Sequence, residues 1–275
     1  MSNYAQDGFM VVDNVLSPGL LAEVRAEATS ICRGDRGAIE GVELAGPVQS
    51  DTAVLRKYLC VHFPHKISKL LYDVAVLPKI AGVLTGVIGP NVKMMQSMLF
   101  IKAEGKPGQA WHQDETHIPT RDQSLTAVWI ALDDATVENG CLWVLPGSHR
   151  RKFLYPDREQ HDARFDCTKE AHGFTDEDAI PVELEAGSAL VFDGHLLHRS
   201  LPNTGKHGMR RAYVTHYMSA DSLLPWFPPG PGDSMGTVDH RDIVMVAGED
   251  PYAFKGITDV MRPHVRPAGE GGCVR

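Results

Sequence analysis

Short apolar runs separated by turn residues dominate the chain from residue 92 onward. Gly, Pro and Asn bound these runs, a pattern typical of the strands of β-sandwiches and jelly rolls. We interpret as strands residues 92–102, 125–132, 142–145, 182–184, 189–192 and 210–218, and predict one earlier strand at residues 9–12.

Helical periodicity precedes this strand region. Ser17 and Pro18 supply an N-cap side chain and a first-turn proline, which predicts a helix over residues 18–32. A second helical region is predicted over residues 66–85 and divided at Pro78, because proline lacks an amide donor and clashes with the preceding turn. The apolar positions that we expect to cover one face of a sheet are Leu21, Val24, Ala28 and Ile31 in the first region, and Leu70, Leu71, Val74, Leu77, Ile80, Ala81 and Leu84 in the second.

These elements predict a mainly β fold with supporting α-helices, namely a double-stranded β-helix, or cupin-like jelly roll. For 275 residues we expect one domain, 1–275, with helices at about 18–86, a jelly-roll core at about 92–220 and an irregular tail at about 221–275. Residues 34–51 form a predicted loop and residues 150–178 a predicted surface insertion. The tail, around Trp226 and Phe227, is expected to close over the barrel mouth.

Composition narrows the classes of partner. The chain is 43% hydrophobic and 23% charged, with a formal net charge of −8 and a pI near 5.9. This acidic balance argues against nucleic acid and anionic membranes, since both select a basic surface. We expect a small-molecule substrate instead, and the sequence does not indicate an oligomeric state.

Cysteine usage and the chain ends bear on the compartment. The five cysteines are irregularly spaced, which favours reduced thiols over a disulfide framework. The first residues lack the basic region and apolar core of a secretory signal. We expect no apolar run near the roughly 20 residues of a membrane-spanning helix. The last residues are not the Ser-Lys-Leu of a peroxisomal signal. A cytoplasmic location is therefore expected.

His112 and Asp114 are the first candidates for chemistry. In an extended segment, side chains two residues apart point the same way, so an imidazole and a carboxylate at this spacing can converge on one ion. A third ligand is expected from residues 192–203, where His195 and His198 are the alternatives. Two histidines and one carboxylate form the facial triad of non-haem Fe(II) oxygenases, which leaves coordination positions open for chemistry.

Four motifs follow one another along the chain. They are His112-x-Asp114, a block at 128–149, His198-x-Ser200 followed by Asn203, and Arg210-Arg211-Ala212 leading to His216-Tyr217. In this order they resemble the phytanoyl-CoA dioxygenase family of Fe(II)- and 2-oxoglutarate-dependent oxygenases, most closely the subgroup called phytanoyl-CoA dioxygenase domain-containing proteins. The resemblance extends from about residue 4 to about residue 220.

The resemblance implies roles for individual residues. It selects His198 as the third metal ligand, and His195 is then expected near the rim or bonded to backbone. Strand alternation leaves open whether Arg210 or Arg211 faces inward, whereas the family's Arg-x-Ala pattern implies that Arg210 holds the far carboxylate of 2-oxoglutarate. The residues implied around this cosubstrate are Ser200, Trp129, Met98 and Lys57. We also expect Thr116 and His117 to face the substrate, and His216 to lie beside the ligands or the pocket.

The implied activity uses Fe(II), 2-oxoglutarate and O2. The expected reaction hydroxylates an unactivated C–H bond of a small organic substrate and releases succinate and CO2, although such sites also desaturate, epoxidise or close rings. Two alternatives stay open: a cupin-like metal enzyme that does not use 2-oxoglutarate, and a catalytically silent 2-oxoglutarate-binding protein. The acidic balance favours a substrate smaller than phytanoyl-CoA, because a CoA thioester needs cationic groups for its phosphates.

Overall fold

Two antiparallel sheets form the framework of the computed structural model, which describes residues 3–166, 169–224 and 241–267. Within the described residues the helices are α1 Tyr4–Asp7, α2 Pro18–Arg33, α3 Asp51–Leu55, α4 Lys69–Ala75, α5 Pro78–Val87 and α6 Asp114–His117. The strands are β1 Phe9–Val12, β2 Tyr58–His62, β3 Val92–Lys102, β4 Gln109–His112, β5 Thr126–Ala131, β6 Leu142–Val144, β7 Asp157–Arg158, β8 Glu170–Ala171, β9 Ile180–Val182, β10 Ala189–Asp193, β11 His198–Ser200, β12 Arg210–Ser219, β13 Val244–Ala247 and β14 His264–Pro267.

The two sheets face each other across an apolar layer. The larger sheet has the strand order β1-β10-β5-β12-β3-β2-β14, with β13 also paired to β3, and the smaller has the order β4-β11-β6-β9. Met98, Trp129 and Val214 of the larger sheet pack with Leu142 and Val144 of the smaller one. This arrangement is a jelly roll, and the predicted mainly β fold is confirmed.

Helices cover the outer face of the larger sheet, as expected. Leu71 of α4 packs with Leu99 of β3 and Tyr213 of β12 in the main core cluster. The Tyr213 hydroxyl donates to the Leu71 carbonyl at 3.0 Å, and the Tyr217 hydroxyl donates to the Ala75 carbonyl at 2.7 Å. These bonds fix which face of β12 turns toward the helices, so residues of the other parity turn toward the smaller sheet.

Helix boundaries follow the predicted signals. The Ser17 hydroxyl accepts a hydrogen bond from the Leu20 amide at 3.3 Å, and Pro18 is the first residue of α2. Pro78 likewise begins α5 and separates it from α4. Both predicted helical regions are therefore confirmed.

One apolar stretch corrects an expectation from the sequence. Lys69–Val87 has 19 residues with a mean hydropathy of 1.6, enough to cross a membrane by length and composition. In the folded chain it forms α4 and α5, whose residues Leu71, Val74 and Leu84 belong to the main core cluster. The apolar character of this stretch is thus used, at least in part, to pack helices on the sheet.

The strands that the sequence pattern misses are short. The seven predicted strands are present, with bounds shifted by at most two residues, whereas the pattern does not predict seven others of five residues or fewer, namely β2, β4, β7, β8, β11, β13 and β14. The tail is not wholly irregular, because β13 pairs with β3 and β14 with β2. Edge pairing uses backbone groups and requires little side-chain periodicity. Trp226 and Phe227 lie outside the described residues.

The insertion at 150–178 also differs from its prediction as a surface segment. It contains the short hairpin of β7 and β8, and it buries Asp166 and Ala171. The Asp166 amide donates to the Gly108 carbonyl at 2.8 Å, which holds this part of the insertion beside β4. The expectation of a single domain stays a prediction.

Candidate metal centre and its cavity

His112, Asp114 and His198 converge at one end of the smaller sheet. His112 ends β4 and pairs in register with His198 of β11, while Asp114 begins α6 two residues later. Asp114 Oδ1 lies 3.7 Å from His112 Nε2 and 3.6 Å from His198 Nε2. One donor atom from each residue lies within 4.8 Å of the others, and all three residues are buried. This set fits a metal with nitrogen and oxygen ligands.

Backbone hydrogen bonds orient both imidazoles. His112 Nδ1 lies 2.8 Å from the Ala110 carbonyl, and His198 Nδ1 lies 2.9 Å from the Leu196 carbonyl. Because a carbonyl only accepts, each Nδ1 carries the proton and each Nε2 keeps its lone pair for a metal. Burial, and to a smaller extent the neighbouring His198, lowers the pKa of His112 well below its ordinary value. The low pKa favours the neutral imidazole that a metal ligand requires.

Asp114 has a further partner on the larger sheet. Its Oδ2 lies 3.2 Å from His216 Nε2. Burial raises the pKa of Asp114, but the nearby imidazoles of His198, His216 and His112 more than offset this, so its pKa lies below the ordinary value. The carboxylate is therefore ionised, and His216 holds its second oxygen as expected for a residue beside the ligands.

A cavity of about 240 Å³ extends from this cluster between the two sheets. Its lining includes all three candidate ligands, and the other lining residues include Gln96, Met98, Lys102, His117, Trp129, Asp166, Ser200, Arg210 and His216. Among the described lining residues, His117 is the only exposed one. His117 is therefore the lining residue most accessible to solvent.

Arg210 projects into this cavity without an anionic partner. It is 2% exposed, its Nε has no hydrogen-bond partner, and its guanidinium lies 5.2 Å from the centre of the Trp129 ring. Burial lowers the pKa of Arg210 to about 10, which still leaves it cationic at neutral pH. No carboxylate within the described residues forms a salt bridge with it. A buried, unpaired guanidinium in a cavity is suited to bind a carboxylate ligand.

The neighbouring Arg211 faces the opposite way. Its guanidinium binds Asp133 at 2.8 Å on the helix-covered side of the sheet. Strand parity alone does not distinguish the two arginines, whereas the fold places only Arg210 in the cavity. The preference for Arg210 over Arg211 thus agrees with the observed geometry.

Lys102 is a second buried basic residue that the sequence analysis misses. Its Nζ donates to the Ser200 hydroxyl at 2.8 Å and to the Leu201 carbonyl at 2.7 Å. Burial, and then the charge of Arg210, lowers the pKa of Lys102 well below its ordinary value. Since Lys102 pairs in register with Arg210, these two residues and Ser200 form one end of the cavity, here called the cation end.

Several predicted site residues line the cavity and others do not. Met98, Trp129, Ser200 and His117 line it, but Thr116 is absent from the lining. Lys57 requires a correction: it lies exposed in the turn before β2, outside the cavity.

His195 also lies elsewhere than expected. It is fully buried rather than near the rim, and its Nδ1 is 3.5 Å from Asp193 Oδ1. Its carbonyl accepts a hydrogen bond from Gln113 Nε2 at 2.6 Å. The short turn between β10 and β11 therefore directs this side chain into the interior, behind the ligand-bearing segment, while His198 enters the cavity.

The matching family model and the similar curated proteins point to the same family. The family model described as Phytanoyl-CoA dioxygenase (PhyH) matches residues 4–212. A phytanoyl-CoA dioxygenase of Arabidopsis thaliana is 33% identical over 165 residues, covering 58% of this chain and 56% of the relative, so the chain spans little more than half of that protein. The peroxisomal phytanoyl-CoA dioxygenase of Mus musculus is 29% identical over 276 residues, covering 93% of this chain and 77% of the relative.

Solved structures share the fold at lower sequence identity. The non-heme monooxygenase ThoJ, in its apo form, superposes with a TM-score of 0.68 at 22% identity, covering 90% of this chain and 83% of that one. The epimerase SnoN, solved in complex with Fe3+, alpha ketoglutarate and nogalamycin RO, gives a TM-score of 0.62 at 22% identity, covering 86% and 88%. Likeness at this identity supports the jelly-roll assignment.

Proposed function

The chain belongs to the phytanoyl-CoA dioxygenase family, and on that premise we propose that it is an Fe(II)- and 2-oxoglutarate-dependent dioxygenase acting on a small organic substrate. The family predicted from the sequence is confirmed, and the cofactors of the proposal are those of this family. The substrate and the outcome of the reaction are the part that the proposal adds.

One observation carries the proposal. The chain places a candidate metal triad and an unpaired, buried arginine in the same cavity. A metal enzyme without a carboxylate cosubstrate would have no use for a desolvated guanidinium at Arg210, and burying such a charge without a partner is costly. The arrangement therefore favours a 2-oxoglutarate enzyme over a cupin-like metal enzyme of another class.

His112, Asp114 and His198 would hold Fe(II). The donor set fits, because two neutral imidazoles and an ionised carboxylate match the ligand class of non-haem iron oxygenases and leave coordination positions open. Bound there, Fe(II) supplies the activation of O2 that is coupled to decarboxylation of 2-oxoglutarate. The carbonyls of Ala110 and Leu196 keep both imidazoles in the required tautomer.

The cation end would hold the far carboxylate of 2-oxoglutarate. Arg210 offers two parallel N–H donors, and Ser200 offers a hydroxyl that Lys102 already orients. Met98 and Trp129 supply apolar walls between this end and the metal ligands. Such walls exclude water and strengthen the charge-assisted bonds.

The proposed reaction converts a substrate C–H bond to C–OH. One atom of O2 enters the substrate, the other enters succinate, and CO2 leaves. Of the four electrons that reduce O2, two come from the C–H bond and two from the oxidative decarboxylation of 2-oxoglutarate. Within the part of the chain that the structure describes, Lys102 and Arg210 are the only lysine and arginine in the cavity lining, and both lie at the cosubstrate end. This distribution favours a small substrate over a CoA thioester.

Anaerobic binding of Fe(II) and 2-oxoglutarate tests the proposal. We expect the weak visible charge-transfer band of the ternary complex with wild type, its loss in His198→Ala, and at least about 30-fold weaker 2-oxoglutarate binding in Arg210→Ala, since truncating one partner of a buried charge pair costs about 2 kcal/mol or more. Arg211→Ala is the matched control, because it removes the adjacent guanidinium from the opposite face of β12.

Two results would contradict the proposal. Fe(II) binding without any 2-oxoglutarate band or affinity would favour the cupin-like alternative. Normal binding of both, without O2-dependent succinate formation across a substrate panel, would favour a catalytically silent binding protein. We further propose a cytoplasmic location, supported by the buried thiols of Cys32 and Cys141, which form no disulfide. Fractionation of cells producing the protein would test this location.

A further inference from the structure

The two ends of the cavity differ in charge. Lys102 pairs with Arg210 on neighbouring strands, and Gln96 pairs with His216 six residues further along the same ladder. At about 3.3 Å per residue, the two pairs are separated by roughly 20 Å of strand. Since His216 contacts Asp114, the pair of Gln96 and His216 marks the metal half of the cavity.

Gln96 has an unsatisfied carboxamide in this half. The residue is 7% exposed and lines the cavity, and its Oε1 is buried without a hydrogen-bond partner. Leaving such a group unpaired costs about 1–3 kcal/mol, and native proteins pair the large majority of buried polar atoms. A ligand that enters the cavity is the partner that this carboxamide lacks.

The chemistry of a carboxamide limits that ligand. The group presents a donor and an acceptor side by side, and rotation by 180° exchanges them. A hydroxyl or an amide, which both donates and accepts, satisfies Gln96 in either orientation. Oε1 is the atom that lacks a partner, so the ligand group must donate a hydrogen bond to it. A carboxylate, which only accepts, would leave Oε1 without a donor.

The charges of the cavity lining also limit the ligand. Among the described lining residues, the side chains with a carboxylate, an amine or a guanidinium are Lys102, Arg210, Asp114 and Asp166. Lys102 and Arg210 lie at the cation end, and Asp166 is held beside Gly108, whose neighbour Gln109 pairs with Ser200. Asp114 lies in the metal half but is a candidate metal ligand. With the metal bound there, a charged group desolvated beside Gln96 would have no free countercharge in the described lining.

We propose that Gln96 binds the primary substrate through a hydroxyl or amide group, and that the substrate is an uncharged polar compound. This inference rests on the proposed function, because it assigns the other half of the cavity to 2-oxoglutarate. Gln96 thereby becomes a specificity-determining residue, placed beside the metal ligands on the side away from Arg210.

Melting temperature is the first test and needs no ligand. Gln96→Met keeps the length of the side chain and removes the unpaired amide, so we expect the metal-free protein to melt higher, by roughly 2 °C for about 1 kcal/mol. Gln6→Met replaces an exposed glutamine on α1, outside the cavity, and is the control, for which we expect no gain. A lower melting temperature for Gln96→Met would mean that the amide has a structural partner and would overturn the proposal.

Probe binding is the second test. Four probes share one ring and differ in one group: cyclohexanol, cyclohexanecarboxamide, cyclohexanecarboxylate and cyclohexylammonium. Each is titrated anaerobically into protein loaded with Fe(II) and 2-oxoglutarate, and the shift of the visible band and the heat of binding are measured. We expect the alcohol and the amide to bind wild type and to lose about tenfold in affinity in Gln96→Met, with the control unchanged.

The outcomes separate this inference from the proposed function. Absence of the visible band before any probe is added would reject the proposed function, and the melting experiment would still decide whether Gln96 awaits a ligand. With the band present, the inference is overturned if no probe binds, if the charged probes bind as tightly as the uncharged ones, or if the variant binds them as wild type does.

Discussion

Gln113 lies between the candidate metal ligands His112 and Asp114, and its side chain connects three backbone segments. Its Nε2 donates to the Phe153 carbonyl at 2.9 Å and to the His195 carbonyl at 2.6 Å, and its Oε1 accepts from the Tyr155 amide at 2.8 Å. The residue is 1% exposed. One carboxamide thus joins the ligand-bearing segment to the insertion at 150–178 and to the turn that precedes His198.

Replacing Gln113 with Met removes all three bonds at nearly constant volume. The two bonds to the insertion are partly buried and the bond to His195 is fully buried, and each group left unpaired costs about 1–3 kcal/mol. We therefore expect the free energy of unfolding to fall by about 3–5 kcal/mol. Because the His195 carbonyl lies three residues before His198, we also expect Fe(II) affinity to fall about 10- to 100-fold, as for other groups that orient ligands.

Urea unfolding and anaerobic Fe(II) titration of Gln113→Met measure these two effects. Gln6→Met is a suitable control, because Gln6 is exposed on α1 and we expect no change in either quantity. Limited proteolysis should in addition cut the variant sooner within residues 153–178, since the insertion loses two of its attachments. If the free energy of unfolding of Gln113→Met lies within about 0.5 kcal/mol of wild type, the reasoning is refuted, because an ordinary surface substitution has an effect of that size.

Two further predictions concern pH and packing. Burial lowers the pKa of His65 from its ordinary value of about 6.5 to about 4. As the pH falls, the unfolded chain therefore binds a proton at this histidine before the folded chain does. The free energy of unfolding is then unaffected by His65 above about pH 6.5 and falls by about 3 kcal/mol toward pH 4. Urea unfolding across this range should show a shallower loss in His65→Gln, and an equal loss would contradict the assignment. A Cβ at Gly108 would clash with the Ser200 carbonyl oxygen, whereas one at Gly86 in α5 meets nothing within 4 Å. Thermal unfolding should thus show Gly108→Ala destabilised by at least about 1 kcal/mol and Gly86→Ala stabilised by about 0.5–1 kcal/mol, and the same sign for both would contradict this packing.

The metal ligands were accessible to sequence reasoning because their spacing reflects local geometry. His112 and Asp114 lie two residues apart at the end of a strand, and the family pattern adds His198. Spacing alone does not show whether His195 or His198 is the third ligand. Strand pairing favours His198, because it lies opposite His112 in the sheet. Long-range register depends on the whole fold, so a choice between two histidines three residues apart required either a family pattern or the structure.

The sequence analysis names Lys57, from the family resemblance, and misses Lys102 for a related reason. All but one residue of β3 are buried, because helices cover one face of this strand and the smaller sheet covers the other. A strand buried on both faces lacks the apolar and polar alternation from which an inward face is usually read. Met98 provides the missing reference: once it is placed in the cavity, a period of two assigns Gln96, Phe100 and Lys102 to the same face. The lysine beside Ser200 and the glutamine beside the metal ligands therefore follow from one anchored residue, whereas Lys57 lies in the exposed turn before β2, to which the period of the strand does not extend.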